Sequence, residues 1–101
     1  MAEQENVVLC ASALTFSNIA YILRKWDHSV VMNLFNNLRC VLEVLPVDDG
    51  IIEEAIHSNF TDFEDAVQNY CAEKGNVDII VTRNASDFKS SQIRIASPDE
   101  I

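Results

Sequence analysis

The chain has 101 residues, 49% of them hydrophobic, with only two Gly and two Pro; this describes one small ordered domain, not a disordered segment or a low-complexity array. Sixteen acids against seven bases leave a formal charge of −9, a poor fit to a protein that grips nucleic acid by broad neutralisation of phosphates. The charge is compatible with a carboxylate-rich metal site, with a basic partner surface, or with a solvated acidic exterior.

Residues Met1 to Asn6 are polar. Val7-Val8-Leu9-Cys10-Ala11 is a continuous apolar run and predicts a buried strand. Ser12 is placed to cap a helix in which Phe16, Ile19, Ala20, Leu23 and Trp26 recur at helical spacing, which makes Trp26 a core residue. Asp27 predicts the cap of a second helix reaching about Cys40, with Val30, Val31, Leu34, Phe35 and Leu38 as its stripe. Val41 to Val47 reads as a second strand with Pro46 near its end. Asp48 and Asp49 open a short helix through Ile51, Ile52, Ala55 and Ile56. Near the end, Ile93 to Ala96 predicts a last strand, and Pro98 to Ile101 the start of another helix.

Between these lies the stretch that organises the chain, Phe60 to Phe88. Thr61 and Glu64 have the spacing of a capping box, which predicts a helix from Asp62. Phe63, Val67, Tyr70 and Cys71 form its apolar stripe, and Asp62, Asp65, Asn69 and Glu73 fall on the other side. Gly75-Asn76 suits a helix stop with a positive-φ residue. Asp78 to Thr82 is a β-branched run without alternation, as in a strand buried on both faces of a parallel sheet. Arg83-Asn84-Ala85-Ser86-Asp87-Phe88 follows as an acidic loop. Alternating strands and helices predict an α/β domain with a mostly parallel sheet.

The pair DFEDA on a helix and IIVTRNASDF after it, in that order, resembles the carboxyl half of a PIN domain, the fold of many toxin-type ribonucleases, and the likeness extends from Val7 onward. The resemblance implies a three-layer α/β domain and a Mg²⁺ or Mn²⁺ site acting on RNA. It carries catalytic and metal-binding roles to Asp65 and Asp87, and further metal-site positions to Asp62, Asn84 and Asn18. It also implies an antitoxin-like partner protein. The chain departs from the family pattern in two places. Asn18 stands where the first helix usually bears a glutamate, in Thr15-Phe16-Ser17-Asn18, and no opening strand with an aspartate precedes Val7. The first, central strand is therefore expected to be missing, either with the strands from Val7 and Ile79 pairing directly or with unpaired edges that recruit another chain. A homodimer or strand-exchanged oligomer is the expected outcome, as is a chain silent in catalysis. An interaction module derived from a PIN domain is the competing expectation.

The remaining features point to structure. Acids in a first helical turn are favoured by the macrodipole alone, so Asp62 has a purely structural explanation. Arg83, Lys89 and Arg94 are candidate phosphate contacts, though three bases in an acidic chain are more often ordinary surface cations. His28 and His57 lack partners at a recognisable spacing, and two glycines leave no phosphate-binding loop. Cys10, Cys40 and Cys71 are odd in number, lie outside any C-x-x-C pair and sit in apolar runs, which predicts reduced, buried thiols in a cytoplasmic protein. No apolar run approaches the roughly 20 residues of a membrane span, and no signal peptide is expected.

Overall fold

The computed structural model describes residues 7–100, which form two compact units dividing between Leu45 and Pro46. The first unit comprises β1 (Cys10–Ser12), α1 (Ala13–Ile22), α2 (His28–Val41) and β2 (Glu43–Leu45). The Ser12 hydroxyl accepts from Thr15 N at 3.2 Å and starts α1, so a buried residue ends the strand and caps the helix at once. Asp27 starts α2 by accepting from Ser29 N and from the Ser29 hydroxyl. Phe16 and Phe35 meet edge to face at 5.5 Å and hold the two helices together. β1 and β2 are parallel, with Ala11 opposite Val44, and Glu43 N extends the ladder to Leu9 O.

The second unit comprises α3 (Asp49–Ile56), α4 (Phe63–Lys74), β3 (Ile79–Val81) and β4 (Arg94–Ala96), with a 3-10 turn at Ala85–Phe88 and another at Pro98–Glu100. Asp48 caps α3 through Ile51 N at 2.9 Å and pairs with Lys74 at the end of α4, which ties the start of one helix to the end of the other. Ile51, Ala55, Ala66, Val67, Cys71, Ala72, Phe88 and Ala96 form the buried core. β3 and β4 are parallel, with Ile80 opposite Ile95.

The α/β architecture with parallel pairing agrees with the sequence reading, and several details differ. Among the described residues the strands form two sheets of two, β1 with β2 and β3 with β4; β1 and β3 do not pair. Each strand is three residues long, shorter than the apolar runs, because Val7, Val8 and Leu9 are exposed and lack a ladder partner beyond Leu9 O. The strand at Ile79–Val81 is half-buried, with Val81 51% exposed, where burial on both faces was expected. α1 stops at Ile22, and Arg24 turns back over the Tyr21 ring, so Trp26 lies beyond the helix at 58% exposure instead of in the core. α4 is capped by Asp62, one residue later than the Thr61 box predicts, because the Asp62 carboxylate takes Asp65 N at 2.9 Å. The positive-φ residue expected at the Gly75-Asn76 helix stop is Asn76, directly after the C-cap Gly75, as read from the sequence. Of the three thiols only Cys71 is buried; Cys40 is exposed, since α2 turns that position to solvent.

Candidate functional site

α4 supplies the centre of the site. At about 100° per residue, Asp62, Asp65, Asn69 and Glu73 share one face of the helix. Sequence periodicity assigns that face to solvent. The structure divides it: Asp62 is exposed, Asp65 and Glu73 are half-buried, and Asn69 is 1% exposed. α4 is thus enclosed on more than one side, which a stripe of four apolar residues does not reveal.

The second wall is the loop after β3. Asn84 N binds the Thr82 hydroxyl at 3.1 Å and Asp87 N binds Asn84 O at 2.9 Å, so the loop is wound into a turn that presents Asp87. Phe88, next to Asp87, is buried and packs edge to face on Phe60 at 5.9 Å, and Phe60 packs on Tyr70 of α4 at 6.1 Å. This aromatic clasp fixes the acidic turn beside α4. Sequence reading missed the clasp; Phe60, Tyr70 and Phe88 bracketing the acidic positions are the signal that was available.

The consequence is electrostatic. Asp65 has its carboxyl held above the usual range, first by burial and then by the negative charges of Asp62, Asp87 and Glu64. The structure therefore brings Asp62, Asp87 and Glu64 within electrostatic range of Asp65. Asn84 is exposed in the same loop. Asn18 is half-buried on α1, in the first unit. Arg83, Lys89 and Arg94 are exposed.

A cluster of carboxylates that repel one another suits a cation, and the oxygen donors are the hard ligands that Mg²⁺ and Mn²⁺ take. Among the described residues no three acidic, His or Cys side chains stand close enough to enclose an ion. An ion at this place would keep most of its water and meet the protein through one or two carboxylates at most, as Mg²⁺ commonly does.

A family model described as "PIN domain" matches residues 1–86. The chain belongs to the PIN domain family. Its likeness to a curated protein agrees: it is 27% identical over 97 residues to "Ribonuclease VapC1" of Aquifex aeolicus (strain VF5), covering 91% of this chain and 67% of that protein. No solved structure matches the chain. No helix among the described residues is long and apolar enough to cross a membrane.

Proposed function

We propose that this chain is a toxin-type PIN domain whose Asp65 and Asp87 hold one hydrated Mg²⁺ or Mn²⁺ ion against RNA, and that the 101 residues alone do not cleave it. The observation that carries the reading is the PIN domain match over residues 1–86, beside which burial and the charges of Asp62, Asp87 and Glu64 raise the Asp65 carboxyl. When bound, a divalent ion supplies a lowered water pKa and charge stabilisation at a phosphodiester. Asp65 and Asp87 orient the ion, Asp62 adds negative potential from the helix cap, and exposed Arg83 and Lys89 flank the acidic turn where a phosphate backbone passes. Efficient hydrolysis by a two-metal arrangement needs further carboxylates to steady both attacking and leaving oxygens. In the sequence Asn18 stands where the family resemblance implies a glutamate, and this supports silence in catalysis.

The test is a calorimetric titration with Mn²⁺ alongside an RNA cleavage assay. Wild-type chain is expected to bind one Mn²⁺ weakly, Asp65→Asn to lose that binding, and both to leave RNA intact. Cleavage that requires Mg²⁺ and disappears in Asp65→Asn would overturn the silence. Absence of Mn²⁺ binding by the wild type would overturn the site.

A second reading is favoured by a different observation. Among the described residues ten of the thirteen exposed large hydrophobics lie in the first unit, including Val7, Val8, Leu9, Trp26 and Val41. The sequence up to Leu45 carries three bases against four acids, and the remainder four against twelve. Exposed apolar side chains grouped in a nearly neutral stretch of chain suit a protein interface. We propose that this surface pairs with a second copy of the chain in a homodimer or strand-exchanged oligomer, and that an antitoxin-like protein is the heterologous partner. It holds whether or not the carboxylates bind a metal.

A further inference from the structure

Trp26 is the single tryptophan of the chain, and it is 58% exposed although helical spacing predicts a core position. It stands in the turn between α1 and α2, and that turn is held by its backbone. Leu23 N donates to Ile19 O at 2.9 Å, Arg24 N to Tyr21 O at 3.2 Å, and Trp26 N to Leu23 O at 2.9 Å. Asp27 closes the turn by capping α2 through Ser29 N and the Ser29 hydroxyl. The indole is thus presented by a hydrogen-bonded turn and not by a loose loop.

Three further side chains share the turn. Tyr21 is 66% exposed, and the Arg24 guanidinium lies 4.1 Å from its ring centroid, anchored there by a bond from Nη1 to Tyr21 O at 2.9 Å. Lys25, next to the indole, is exposed. Among the described residues neither Arg24 nor Lys25 forms an ion pair, in a chain with sixteen acids. Asp27 is the one acid of the turn, so the turn is locally positive in a chain of net charge −9. Exposed rings that offer their faces to bases, interleaved with cations that meet phosphates, are what single-stranded nucleic acid binds. Lysine beside the indole suits a polyanion better than the core of a protein interface, from which lysine is depleted. The turn also lies apart from the apolar strip at Leu9 and Val41: the 14 residues of α2 separate Trp26 from Val41 by about 20 Å.

We propose that the α1–α2 turn is a docking site for single-stranded nucleic acid. Trp26 stacks on one base, Tyr21 with its Arg24 guanidinium receives a neighbouring base, and Lys25 meets the phosphate between them. The site makes no use of the carboxylates and needs no metal.

The experiment uses the fluorescence of Trp26, which reports on this turn alone because the chain has no other tryptophan. The full chain is titrated at low salt, in the presence of a chelator, with a short oligouridylate and with an oligothymidylate of equal length. Saturable quenching by either supports the site, and the strand bound more tightly tells RNA from DNA as its source. Anisotropy of the labelled strand is expected to show Trp26→Ala weaker by about tenfold, the worth of one stacked base, and Trp26→Phe close to wild type because a ring remains. Lys25→Gln is expected to lower the slope of log affinity against log salt by about 0.7, one phosphate of a single strand. Asp65→Asn is expected to leave the quenching unchanged. Strand binding without quenching, or quenching lost in Asp65→Asn, would place the strand elsewhere and overturn the inference. Trp26→Ala that turns a dimer into a monomer with unchanged affinity for the strand would assign the turn to a protein contact and overturn it also, as would a wild-type chain that binds neither strand. Mn²⁺ titration bears on the carboxylates alone, so the two sites fail separately.

Discussion

At the scale of single residues, Asp65 carries the strongest commitment. Its carboxyl is raised above the ordinary value of 3.8 by burial and by Asp62, Asp87 and Glu64. A carboxyl raised in the folded state burdens the fold with a charge it tolerates poorly. The burden is absent while the group is protonated in both states, grows as pH rises through the ordinary value, and is complete above the folded one. Asp65→Asn is therefore expected to raise the metal-free thermal midpoint at neutral pH and to gain nothing below about pH 3.5. An equal gain at both pH values would refute the electrostatic account. Asp62 works against this at the same helix start. Its carboxylate caps α4, so Asp62→Ala relieves Asp65 and at the same time loses a cap of about 1 kcal/mol. Calorimetric melts should show Asp62→Ala less stable than Asp65→Asn at neutral pH.

At the scale of elements, the acidic turn and α4 depend on the aromatic clasp. Phe88 is 7% exposed and edge-on to Phe60, which reaches Tyr70 on the helix. Phe88→Ala leaves a cavity that costs about 3 kcal/mol, and it frees the turn that presents Asp87. Urea denaturation should register the loss of stability. Mn²⁺ titration should register weaker binding as well, although Phe88 bears no ligand atom. Loss of stability with unchanged Mn²⁺ affinity would show that the clasp stabilises the core without positioning Asp87.

At the scale of the whole molecule, charge and apolar surface are segregated along the chain. The acids concentrate after Pro46, and the exposed apolar side chains concentrate before it. Strands of three residues in two-stranded parallel pairs are short for sheets that usually lie buried. Strand edges and apolar surface together favour association. Light scattering on the wild-type chain is expected to return about twice the monomer mass, and Val41→Lys, in the exposed strip beside Leu9, to return the monomer. A wild-type chain that stays monomeric and folded at high concentration would refute the dimer.

The local syntax of the chain was legible without coordinates. Ser12, Asp27 and Asp48 were each read as helix starts, and all three accept a backbone N–H in those places. The reason is that capping and turn chemistry depend on residues three or four apart. Apolar periodicity likewise located four helices and four strands in order. The family likeness rests on two short motifs, and the match over residues 1–86 supports the family. Tertiary structure alone decided which side of α4 is buried, because Asn69 looks like a surface residue until packing encloses it. It alone decided that Trp26 and Cys40 face solvent, and that Asp87 comes within electrostatic range of Asp65. These outcomes are set by what lies across from a residue in space, and no spacing along the chain encodes that.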